Sequence, residues 1–119
     1  MLRRLLILFL ASAASLSVWA QDAEGIYNKV DENPSPSKTV KPEYPRDLKR
    51  DGVEGIVAVA IVIDETGSVV SAKVSKSSNP GFDQAALDAI SKWKFKPGKK
   101  EGKAVKVRVT IPFRFNLED

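Results

Sequence analysis

Between Gly55 and Asp64 the chain carries a run in which both faces of an extended strand are apolar. Val57, Val59, Ile61 and Ile63 fall on one face, and Ile56, Ala58, Ala60 and Val62 on the other. A strand without a solvent side belongs in the middle of a sheet, so the flanking sequence must supply a neighbour on each side. Asp64-Glu65-Thr66-Gly67 reads as a hairpin turn, with Gly67 free to take the left-handed conformation that closes it. From Ser68 to Lys76 the period of two continues. Val70, Ala72 and Val74 are expected to face in, and Ser71, Lys73 and Ser75 to face out, a half-exposed strand.

The period then changes. Asn79 can cap a helix and Pro80 suits its first turn. Phe82, Ala85, Ala86, Ala89, Ile90 and Trp93 follow at helical spacing, small enough in the middle to lie close on a sheet. Pro97-Gly98 ends that segment, and Lys99–Lys103 reads as a charged loop. A final alternating strand covers Val105, Lys106, Val107, Arg108, Val109, Thr110, Ile111, Pro112, Phe113, Arg114 and Phe115, with one apolar and one largely basic row. A helix that covers the apolar face of a three-stranded sheet gives an α+β, two-layer ββαβ domain. A right-handed crossover sets the last strand beside the first, in an antiparallel sheet of order 2-1-3. Pro112, which lacks a donor, marks the last strand as an edge.

The N-terminal third is organised differently. Arg3 and Arg4 precede the apolar Leu5–Leu10, which weakens through serines to Val18-Trp19-Ala20. Residues 1–20 are therefore expected to be a secretory signal cleaved before Gln21. The rival is a retained anchor, but Leu5–Ala20 falls short of the roughly 20 apolar residues a span needs. Residues 21–40, with Asn33-Pro34-Ser35-Pro36, read as a flexible linker in which Ile26, Tyr27 and Val30 could form a turn of helix. The domain is expected over 41–119. Lys41-Pro42-Glu43-Tyr44-Pro45 stays extended because each proline disfavours helix before it. Tyr44 would anchor it, and Arg46–Arg50 would form one helical turn closed by Asp51-Gly52.

Composition narrows the chemistry. Histidine and cysteine are both absent, which removes the usual zinc, haem and thiol-nucleophile constellations, disulfides, and lipidation at a cleavage-site cysteine. Asp64 and Glu65 sit in a turn for turn reasons, and no glycine-rich phosphate loop follows a strand. No enzyme, cofactor or small-molecule substrate is expected. A formal charge of +4, part of it from Arg3 and Arg4, is too small for a nucleic-acid footprint. The bias at Lys92, Lys94, Lys96, Lys99, Lys100, Lys103, Lys106, Arg108 and Arg114 reads as a solvated face, or as attraction to an acidic partner or a lipid headgroup surface.

Taken together, Tyr44-Pro45, Gly52–Gly55, the Asp64–Val69 hairpin, the Phe82/Ala85/Ala86/Ala89 helix, Trp93-Lys94-Phe95-Lys96-Pro97 and the closing Val107–Phe115 strand resemble the C-terminal domain of TonB, the energy transducer of Gram-negative bacteria. The resemblance spans about residues 41–115. It implies a periplasmic binding domain that takes the N-terminal box of TonB-dependent outer-membrane receptors as an added strand. The partner-binding residues it implies are Lys41, Tyr44, Pro45 and Val105–Phe115, without Pro112. Tyr44 and Trp93 are expected to serve the core first. Coupling to an ExbB/ExbD-like proton-driven motor is also implied, although the sequence has neither the membrane-helix histidine nor the proline-rich arm of full transducers. A homodimer through the last strand, acting as a structural adaptor, would use the same edge.

Overall fold

A computed structural model describes residues 25–118. The expected signal, residues 1–20, lies outside them. Among the described residues no helix is long and apolar enough to cross a membrane.

The main sheet has three antiparallel strands: β2 (Gly55–Ile63), β3 (Val69–Ser77) and β7 (Val107–Phe115), in the order β3-β2-β7. The doubly apolar strand is central, as its composition demands. Its Val57, Val59, Ile61 and Ile63 row is fully buried under α2 (Asp83–Ile90), together with Phe82, Ala86, Ala89, Ile90, Phe95, Phe113 and Phe115. Asn79 accepts a hydrogen bond from the Gly81 N–H at 2.8 Å and starts a short 3₁₀ turn, Pro80–Phe82, that leads into the helix. The helix ends at Ile90, so Trp93 packs from the segment after it. α1 (Arg46–Arg50) is the single turn expected after Pro45.

Three features depart from the sequence reading. Val70 is 56 % exposed and does not face in. The ladder shifts between Val62 and Ile63, pairing Val62 with Ser71 and Ile63 with Val69. Val70 is left over as the bulged residue, and Val69 joins the core instead. Lys99–Lys103 is not a loop but a tight hairpin. β5 (Gly98–Lys100) pairs with β6 (Lys103–Val105) around Glu101-Gly102, both at positive φ as a two-residue turn requires. Val105 therefore belongs to β6, opposite Gly98, and the last strand begins at Val107.

The third departure lies in the segment read as linker. Its described part, 25–40, is hydrogen-bonded to the domain throughout. Tyr27 bridges Val107 in parallel, and Glu32 bridges Lys99. β1 (Ser35–Lys38) pairs with β4 (Lys94–Lys96), and the Trp93 indole N–H donates to Val40 O at 2.9 Å. Ile26 and Tyr27 form no helical turn.

Candidate partner-binding edge

β7 is an edge strand over most of its length. Its odd-numbered residues Val107, Val109, Ile111, Phe113 and Phe115 turn to the core side, where Val107, Phe113 and Phe115 are buried. They pair with β2 in an unbroken register from Phe115 opposite Gly55 to Val107 opposite Ile63. The backbone alternates in the same way. The Arg108 N–H points away from β2 and donates to Tyr27 O at 2.9 Å. Thr110, Pro112 and Arg114 share that outward row, because N–H and C=O directions repeat every second residue. Pro112 thus sits where its missing donor breaks no bond to β2, which explains how proline fits a strand paired on one side. Thr110, Pro112 and Arg114 are exposed.

The aromatic cluster beneath this edge fixes its position. Tyr44 meets Phe82 and Phe115 edge-on, each at 5.7 Å between ring centroids, while Phe82 and Phe115 stack at 4.4 Å. The Tyr44 hydroxyl donates to Val53 O. Partial desolvation, and then the nearby Glu54 carboxylate, raise its pKa above the ordinary tyrosine value. Trp93 meets Phe113 edge-on at 5.5 Å. Both rings pack against the core, as expected, while their polar ends tie down the 40–53 segment.

The structure brings together two groups of residues that are distant in sequence. Lys41, Pro42 and Tyr44 share a hollow of ≈ 240 Å³ with Arg114, Phe115 and Leu117 at the C-terminal end of β7. Pro45 caps α1 from the same segment. Lys106, at the other end of β7, lines a second hollow of ≈ 670 Å³ on the sheet face opposite α2, with Ala60, Val62, Val70 and Arg108. Val105 stands apart from the edge, in β6. The sequence reading did not identify Ile26, Tyr27 and Asn28, which already occupy the first part of the edge. The adjacent apolar pair Ile26-Tyr27, isolated in a polar stretch, was the signal available.

Among the described residues no group of three or more histidine, cysteine, aspartate or glutamate side chains converges on a metal-sized site. What the geometry offers is an accessible row of backbone groups held rigid by a buried side-chain row. Fold and edge define a small two-layer α+β domain with an open sheet edge at β7. The family model for the Gram-negative bacterial TonB protein C-terminal matches residues 40–117, and the chain belongs to that family. It is 41 % identical over 83 residues to Protein TonB of Vibrio cholerae serotype O1, covering 69 % of this chain and 34 % of that protein. Protein TonB of Xanthomonas campestris pv. campestris is 40 % identical over 77 residues, 64 % of this chain and 34 % of its own length. The chain thus spans about a third of these curated relatives. The solution structure of the Pseudomonas aeruginosa TonB C-terminal domain superposes with a TM-score of 0.62 at 32 % identity, over 75 % of this chain and 91 % of that one. The Helicobacter pylori TonB C-terminal domain gives 0.51 at 32 % identity, over 66 % and 84 %.

Proposed function

We propose that this protein is a periplasmic docking domain that captures the N-terminal box segments of TonB-dependent outer-membrane receptors as an added strand on β7. The observation that carries this reading is the outward backbone row at Thr110–Arg114, exposed while the side chains that position it lie in the core. Backbone hydrogen bonds would supply affinity. Arg114, with Lys41 and Tyr44 beside it, would read the partner's side chains at one end. Lys106 and Arg108 would do so at the other.

In this reading residues 1–20 direct export and the mature chain begins at Gln21. Coupling to an ExbB/ExbD-like motor requires those residues to be retained as an anchor, and the intact mass of protein isolated from cells decides between the two. A second copy of the chain would take the same edge, so homodimer and receptor complex exclude one another. The test is calorimetric titration with a receptor box peptide and with the same peptide carrying proline at its centre. The expected result is binding by the first and at least about tenfold weaker binding by the second, since proline removes a donor and a strand conformation. Equal binding by both peptides would mean that no strand is added.

A further inference from the structure

The first part of the β7 edge is filled by the chain itself. The Tyr27 N–H donates to Lys106 O and the Arg108 N–H donates to Tyr27 O, both at 2.9 Å, which makes a parallel bridge to Val107. The Asn28 side chain accepts from the Arg108 guanidinium at 3.2 Å. Ile26, one residue earlier, turns to the sheet face that α2 leaves uncovered. It is only 6 % exposed there and lines the same hollow as Val62, which is 7 % exposed, and Ala60. Ile56, at the far end of that face, is 41 % exposed, so the burial of Val62 is local to this N-terminal strap, residues 26–32.

The strap is fastened further along. Asp31 and Glu32 donate backbone N–H groups to Lys99 O, and the Lys99 N–H donates back to Glu32 O. The Glu101 N–H donates to the Asp31 carboxylate at 2.7 Å, and the Lys100 ammonium lies 3.8 Å from it. Gly98 permits this approach. A Cβ there would stand 3.1 Å from Pro34 Cδ, 3.2 Å from Glu32 O and 2.6 Å from Val107 Cγ2.

We propose that Ile26–Asn28 holds a side-chain subsite of the partner surface. A bound strand displaces it, hydrogen-bonds Lys106 O and Arg108 N in its place, and seats an aliphatic side chain in the Ala60/Val62/Val70 hollow where Ile26 sits. This rests on the docking reading above and adds to it a chemical requirement on the partner: an extended segment with a branched aliphatic residue one position before its bridging residue. It also adds a threshold, because affinity is reduced by the fraction of molecules in which the strap is closed.

The test compares the full chain with its Tyr27→Pro and Ile26→Gly variants, neither of which touches the core under α2. Two peptides are titrated into ¹⁵N-labelled protein: a receptor box peptide, and a synthetic peptide of residues 25–31 of this chain. Displacement predicts about tenfold tighter box binding by Tyr27→Pro than by the natural chain, as release of a strap closed nine times in ten would give. It also predicts loss of the Tyr27 bridge signals in the natural chain at saturation. The 25–31 peptide should shift Lys106–Arg108 amides in Tyr27→Pro, and an Ile26→Gly version of that peptide should bind more weakly. Equal box affinity across the natural chain and both variants, or no shift at Lys106–Arg108 with the 25–31 peptide, overturns the subsite. Failure of every box peptide on all three proteins, with the 25–31 peptide still seated at Lys106–Arg108, strikes at the receptor reading and leaves the subsite standing.

Discussion

Asp64 closes the β2–β3 turn with one carboxylate oxygen that accepts from Thr66 N at 2.9 Å, Thr66 Oγ1 at 2.7 Å and Ser68 N at 3.0 Å. The Thr66 hydroxyl is the largest influence and, with the backbone donors of Ser68, Thr66 and Gly67, holds its pKa below the ordinary 3.8, against a desolvation effect that outweighs any one of those backbone donors. A carboxyl whose folded pKa lies below its unfolded value stabilises the fold above that unfolded value. The contribution is lost as pH falls through the folded pKa. Asp64→Ala is therefore expected to lower stability by about 1 kcal/mol at pH 7 in urea titrations, with the gap to the natural chain closing below pH 3.8. Gly67 follows at φ +88, and a Cβ on it would fall 1.8 Å from Phe95 O. Its own carbonyl accepts the Phe95 N–H at 2.9 Å, joining the turn to β4. Gly67→Ala should cost about 2 kcal/mol, which at this size is a fall of about 10 °C in Tm, measurable by calorimetry. The turn chemistry at Asp64 and Gly67 was legible because those residue types act locally. The reach of the turn to β4 was not, because it depends on where Phe95 comes to rest.

At the scale of elements, period decided most of the outcome. Two alternating runs, one helical run and a third alternating run were enough to give the order β3-β2-β7 and the edge at β7, since the central place flanks β2 with a strand on each side while α2 buries its Val57, Val59, Ile61 and Ile63 row. Val70 escaped because a bulge changes which residues face the core without changing their pattern along the chain. The β5–β6 hairpin escaped because lysines dominate Lys99–Lys103, and Glu101-Gly102 is a weaker turn signal than asparagine-glycine. β1 and the strap escaped because their pairing partners are distant and their own composition is polar. Of the candidate edge, the backbone row was legible from Pro112 and the alternation, whereas its occupation at one end was not. Thr110 tests the row directly. Its N–H faces outward, so Thr110→Pro should leave the sheet paired to β2, with Tm within about 5 °C of the natural chain. Box binding should fall about tenfold or more, as titration of both proteins would show. A Tm collapse would place the Thr110 N–H inside the sheet instead.

For the whole molecule, charge and shape act together. Lys94, Lys96, Lys99 and Lys103 are exposed, and the Lys100–Asp31 pair at 3.8 Å is the one charged contact recorded among the described lysines of this region. Exposed charges act over a Debye length of about 10 Å at 0.1 M salt. An acidic box peptide should accordingly bind several-fold, about 3- to 10-fold, more weakly at 0.5 M than at 0.05 M salt, and a neutral one nearly unchanged. Salt-independent binding of both would assign these lysines to solvation alone. The outward edge of β7 is the surface proposed to hold a partner strand. The most direct measurement is the amide spectrum of the ¹⁵N-labelled full chain titrated to saturation with a receptor box peptide. Strand capture there predicts shifts at Arg108, Thr110 and Arg114 and slowed hydrogen exchange at Thr110 and Arg114, with the α2 amides unmoved. Saturated binding that leaves Val107–Phe115 unshifted, or that maps to α2, would contradict it.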